Sequence, residues 1–194
     1  MEVVRLRSVN DFAEWRVAAR ALLLAGAAPA DVEWVDPAVP SDLFSAPVTL
    51  PAVTGRKVGT VPAKFLRLAE VVVCHRDPRR FALLYGLLWR LQKDRSLVDS
   101  LDDTDSSRLR RRAEAVAVEL RRMKAGLRFR RSVAADGHKG LAAWFEPHHY
   151  VLERVAPHFV REVGHEDWVI TTPYRSAFWD GKVLSFADGR PRRG

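Results

Sequence analysis

The chain of 194 residues is poor in cysteine, in lysine and in long apolar runs, and each shortage excludes something. Cys74 is its one cysteine, so no intrachain disulfide and no cysteine-rich zinc site can form. That usage fits a protein of reducing conditions, and a cytoplasmic location is the expectation. No apolar run is long enough to span a bilayer, so no membrane role is expected. The opening MEVVRLRSVNDF sets arginines among its apolar residues and has no signal-peptide core. Gly126, Gly137, Gly140 and Gly164 are isolated, and no glycine-rich phosphate loop is present.

What the chain does have is arginine. Lysine and arginine number 32 against 24 acidic residues, a formal charge of +8. Almost all of these cations are arginine, which pairs bidentately with phosphate and stacks on bases. A GC-rich genome also supplies arginine in place of lysine, so charge alone permits an anionic partner without requiring one.

The hydrophobic pattern predicts an α+β fold in one domain, residues 1–188, with 189–194 as a disordered tail or linker. Val3–Leu6 and Asp31–Val35 read as strands around a helix capped by Ser8 and ended by Gly26, a compact β-α-β start. Residues 36–60 hold several prolines and read as an irregular connection. A helical middle follows. One helix starts after Pro62, one after the Asp77-Pro78 cap, and one after Thr104-Asp105-Ser106. The period then falls from about 3.6 to about 2. Leu127–Val133, Leu141–Phe145, Trp168–Thr172, Ser176–Trp179 and Val183–Phe186 read as a mostly antiparallel sheet, with turns at Asp136-Gly137 and Asp180-Gly181. One inserted helix, from about Pro147 to Val163, is expected to kink or break at Pro157.

Two segments carry candidate chemistry. The first is basic: Arg108, Arg111, Arg112, Arg122, Lys124, Arg128 and Arg130 lie along a helix and the strand after it. Leu109, Val116, Leu120 and Met123 form the helix's apolar face, with the guanidinium groups beside it. An extended cationic surface of this kind suits a phosphate backbone. A solvated helix face is the plain alternative. The second segment is AAWFEPHHYVL, residues 142–152. Glu146-Pro147 reads as a helix start. His148 and His149 are consecutive and would project about 100° apart on a helix, so they cannot share a metal as i and i+4 histidines do. They are better suited to touching phosphate, with Trp144 beside them for base stacking. A catalytic alternative uses Glu146 and His149 as acid and base, with Asp180. Cys74-His75 is not a nucleophile pair, because adjacent residues on a helix diverge and Asp77 is already used as a cap. No metal or cofactor site is expected.

Five stretches taken together resemble a known bacterial family: DFAEWRVAARALLLAG (11–26), CHRDPRRFALLYGLLWRL (74–91), MKAGLRFRR (123–131), AWFEPHHYVLERVAPHFVREV (143–163) and WVITTPYRSAFWDG (168–181). It is a domain of unknown function described as a DNA metabolism or repair protein. It occurs alone, with its gene beside that of a radical-SAM protein, or fused ahead of a UdgX-type uracil-DNA glycosylase. The resemblance implies DNA as partner and catalysis in the glycosylase or radical-SAM protein. Arg121 and Lys124 stand where that family often has histidines, and Gly126 where it has phenylalanine. A phosphate-contacting role survives that exchange and a catalytic one does not. The function expected is therefore a nucleic-acid-binding accessory module. An enzyme acting on nucleic acid or a nucleotide, and a protein-interaction scaffold, are the alternatives.

Overall fold

The computed structural model describes residues 1–38, 58–133, 137 and 139–191. Most of the expected connection 36–60, the residues Asp136 and His138, and the last three of the tail lie outside the described residues. The fold is α+β, and its described part forms two compact units, Met1–Ala115 and Val116–Gly194.

The first unit opens with strand β1 (Glu2–Arg5), helix α1 (Phe12–Ala25) and strand β2 (Val32–Val35). β1 and β2 pair in parallel, Val4 opposite Trp34, so the β-α-β start forms as expected. Ser8 does not cap α1. Asp11 does: its side chain accepts from Glu14 N at 3.0 Å. Glu14 in turn accepts the amides of Arg7 at 2.8 Å and Ser8 at 3.1 Å. The amide of Ser8 is thus consumed by the cap rather than its hydroxyl supplying one. Gly26 ends the helix at φ 73°, with its amide on Leu23 O and that of Ala27 on Leu22 O, a Schellman closure that favours glycine.

Helices α2 (Ala63–Val72) and α3 (Arg80–Arg90) complete this core, with the N-terminal half of α4 (Thr104–Gly126). Trp15, Phe65, Phe81, Leu84, Tyr85 and Leu109 are fully buried. Trp34 lies between Trp15, Phe81 and Tyr85 with ring centroids 5.8–6.3 Å apart, the spacing at which tilted aromatic pairs attract. Asp103, just ahead of α4, accepts from Ser106 N at 2.8 Å and is its cap, one residue earlier than expected.

The second unit takes the C-terminal half of α4, strands β3 (Arg130–Val133) and β4 (Lys139–Trp144), helix α5 (Leu152–Val163), and strands β5 (Trp168–Thr171), β6 (Arg175–Trp179) and β7 (Leu184–Asp188). The sheet order is β3-β4-β5-β6-β7, antiparallel except for β4 and β5. Two strands joined through a helix crossover run parallel. β3 is shorter than expected. The guanidinium of Arg128 folds back onto the carbonyls of Ala125 (2.6 Å) and Leu127 (3.0 Å), so residues 127–129 close the helix instead of pairing.

α5 differs most from expectation. It begins at Leu152, not Pro147. Its first amide goes to a remote partner, the Tyr174 hydroxyl at 2.7 Å, which also bonds Glu153 at 3.0 Å. Pro157 neither breaks nor ends it. The ring is exposed, on the side where a helix can bend away from its core at small cost.

The alternation of each strand assigns the sheet two faces. Trp168, Ile170, Ala177 and Trp179 face α5: Phe129 packs on Phe159 and Trp168, and Trp179 Nε1 donates to Gly164 O at 3.0 Å. Arg130, Ala142, Val169, Phe178 and Ser185 form one cross-strand row on the other face.

Candidate nucleic-acid interface

The expected cations divide by what already holds them. In the first unit, Arg112 bonds Asp77 and its side chain is only 16% exposed. Arg108 pairs loosely with Asp105 at 3.5 Å. Arg111 is exposed and has no ion-pair partner among the described residues. Burial pushes the Asp77 carboxyl up, but the Arg79 amide and the Arg79 and Arg112 guanidinium groups outweigh it and hold it well below the usual carboxylate range.

One arginine escaped notice in the sequence. Arg80 is fully buried. Its guanidinium bonds Asp36, Val73 O (3.0 Å), Val9 O (2.6 Å) and Asp77 O (3.2 Å), and it lies 4.0 Å from the centroid of the Phe81 ring. Only a fully bonded guanidinium survives such burial. The doublet Arg79-Arg80 gave no signal separating the exposed residue from the buried one.

In the second unit, Glu119 is buried and organises the FEPHH segment. Its carboxylate accepts from Arg122 at 2.8 Å and from His148 N at 3.2 Å. Arg122 also donates to Glu146 O at 3.0 Å and lies 5.1 Å from the Phe145 ring centroid. The segment is therefore a loop pinned to α4, not a helix start. Arg122 keeps a side chain 46% exposed, and His148 is exposed beside it. Lys124 and Arg130 are exposed and have no ion-pair partner among the described residues.

The register places the remaining candidates. Trp144 pairs with Thr171, which pairs with Ser176, at one end of the sheet, the end from which Glu146 and His149 continue. Asp180 follows Trp179 at the opposite end. The three proposed catalytic residues are therefore not gathered: Asp180 stands away from Glu146 and His149. Asp180 instead accepts the amides of Lys182 (2.9 Å) and Val183 (2.7 Å), closing the β6–β7 turn in which Gly181 takes φ 82°. Those amides hold its carboxyl below the usual range. Trp179 faces α5 and donates to Gly164 O, whereas its neighbour Phe178 is 38% exposed on the other face.

Beside Phe178 lies a depression of about 310 Å³ on that other face. Asp167, Val169, Phe178, Asp180 and Ser185 line it, with Ser132, Gly140, Leu141, Trp168 and Trp179. Gly140 allows the close approach of its strand to the next: a Cβ there would stand 2.8 Å from Asp167 O. No group of three or more potential metal ligands occurs among the described residues, and no described helix is long and apolar enough to cross a membrane.

This is the architecture of an α+β protein whose second unit keeps a cation, an aromatic ring and a hollow on one sheet face. The family model of the domain of unknown function DUF4130 matches residues 78–184, more than half of the chain, and the protein belongs to that family. No curated protein and no solved structure matches it.

Proposed function

We propose that this protein is a nucleic-acid-binding accessory module of DNA repair, working beside a UdgX-type uracil-DNA glycosylase or a radical-SAM repair protein. The observation that carries the binding reading is the availability of Lys124 and Arg130: both are exposed with no carboxylate holding them among the described residues. Arg122 and Arg128 are exposed as well, but Arg122 is held by the Glu119 carboxylate and the Glu146 carbonyl, and part of the Arg128 fork is spent on carbonyls. Arg111 is the corresponding candidate in the first unit. The repair setting and the partners rest on the family resemblance of the sequence motifs.

Phosphate neutralisation makes affinity fall with salt, by roughly 0.7 in the logarithmic slope per contact on a single strand. Fluorescence anisotropy with labelled single- and double-stranded DNA across a salt series tests the reading. A slope of about −2 to −3, with the DNA intact on a denaturing gel, is the expected result. No binding at low salt would overturn it. Cut or modified DNA would return attention to Glu146 and His149, and Glu146→Gln would then be the variant to compare.

A further inference from the structure

The hollow beside Phe178 has a composition of its own. Continuing the register by one residue sets Ser132, Gly140, Asp167 and Asp180 in a row next to Arg130, Ala142, Val169, Phe178 and Ser185. The two rows differ in chemistry. The inner one has an apolar floor and an exposed ring. The outer one has two carboxylates side by side, with Asp167 Oδ1 only 3.4 Å from where a Gly181 Cβ would lie. Arg130 stands at the edge, two strands from Val169, about 10 Å away at the usual strand spacing. That distance is within the joint reach of an arginine side chain and a nucleotide.

A flat apolar floor takes an aromatic plane, and an exposed phenylalanine stacks on it. Carboxylates only accept hydrogen bonds. Among the bases, guanine alone offers two adjacent donors, N1–H and the 2-amino group, on its pairing edge. Adenine and cytosine set one amino group beside a ring nitrogen acceptor, and thymine and uracil flank N3–H with two carbonyls. Those acceptors would face the carboxylates unfavourably. A volume of about 310 Å³ holds one base with part of its sugar.

We propose that the hollow is a base pocket that prefers guanine, with Asp167 and Asp180 reading its donors, Phe178 stacking on it, and Arg130 holding the adjoining phosphate. The Arg130 role rests on the nucleic-acid reading above; the base preference can be tested apart from it.

The test is an amide NMR titration of the whole protein with guanosine, adenosine, cytidine and uridine monophosphates, each to about 10 mM, a range that detects millimolar affinity. Guanosine monophosphate is expected to shift the amides of Gly140, Val169, Phe178 and Gly181, and the other three to shift them much less. Asp180→Asn should abolish the preference while keeping the turn, since asparagine accepts the same backbone amides. Phe178→Ala should weaken binding of every nucleotide. Equal shifts from all four, or none, overturn the proposal. A thymine tract with one central guanine should bind about tenfold tighter than thymine alone, the effect of one good bidentate contact. If the two tracts bind equally with the salt slope intact, the pocket fails and the phosphate reading stands. If guanosine monophosphate binds selectively but neither tract binds, the phosphate reading fails and the pocket stands.

Discussion

Arg80 and Arg130 represent two opposite uses of arginine. Around Arg80 every donor is consumed: Asp36, three carbonyls and an aromatic ring close on it, and nothing is left for a ligand. Around Arg130, at the head of the row that runs to Phe178 and Ser185, the charge has no carboxylate partner among the described residues and the ring beyond it faces outward. The same residue type is structure in one region and a candidate binding group in the other. Composition cannot tell them apart; burial and satisfaction can.

The comparison breaks most visibly at Arg80. Arg80→Ala leaves Asp36 as a buried, uncompensated charge, and about 3–5 kcal/mol of stability should disappear in urea unfolding of the first unit. Replacing Arg80 and Asp36 together by apolar residues should cost less than either single change, because no orphan charge remains. Additive losses would show that the pair is not coupled. Gly140→Ala should come next. Its methyl meets the Asp167 carbonyl, and about 1–3 kcal/mol is the usual cost of forced backbone movement in a packed region.

A smaller effect is expected at Asp77. Its folded carboxyl is held below the unfolded value, so its contribution is fully present above about pH 4 and is lost as pH falls through the depressed folded value. Stability should therefore decline below about pH 4, and Asp77→Asn should flatten that decline. Identical acid profiles in urea titrations from pH 5 to pH 2 would remove Asp77 from the account. The smallest effect on stability belongs to the Lys124→Ala, Arg130→Ala double variant, within about 0.5 kcal/mol of wild type. Its effect on nucleic acid should be large, with the salt slope reduced by roughly 1.4.

Local signals were legible and remote ones were not. Gly26 and the Asp180-Gly181 turn act within a few residues, so the sequence displays them; the expected Asp77-Pro78 cap instead lies ahead of α3, which starts at Arg80 with Arg79 at its cap position, and Asp77 accepts the Arg79 amide. The start of α5 does not act locally. Glu119 and Arg122 hold the Glu146–His148 segment from 24 or more residues away, and Tyr174 receives the first amide of α5 from beyond β5. A capping rule applied to Glu146-Pro147 cannot see either. The basic segment was legible as charge, yet Arg112, Arg122 and Arg128 each spend donors internally. For the open face, the sequence points to Trp144, while strand register shows that Phe178 is outward and Trp179 is not.

The most direct test of the binding account is an amide NMR titration of the protein with a short single-stranded DNA at low salt. Shifts are expected at Lys124 and Arg130 and along the row Ala142, Val169, Phe178 and Ser185, with the strand positions facing α5, such as Ile170 and Ala177, little changed. Shifts confined to the α5-facing side, or no shifts at all, would contradict it.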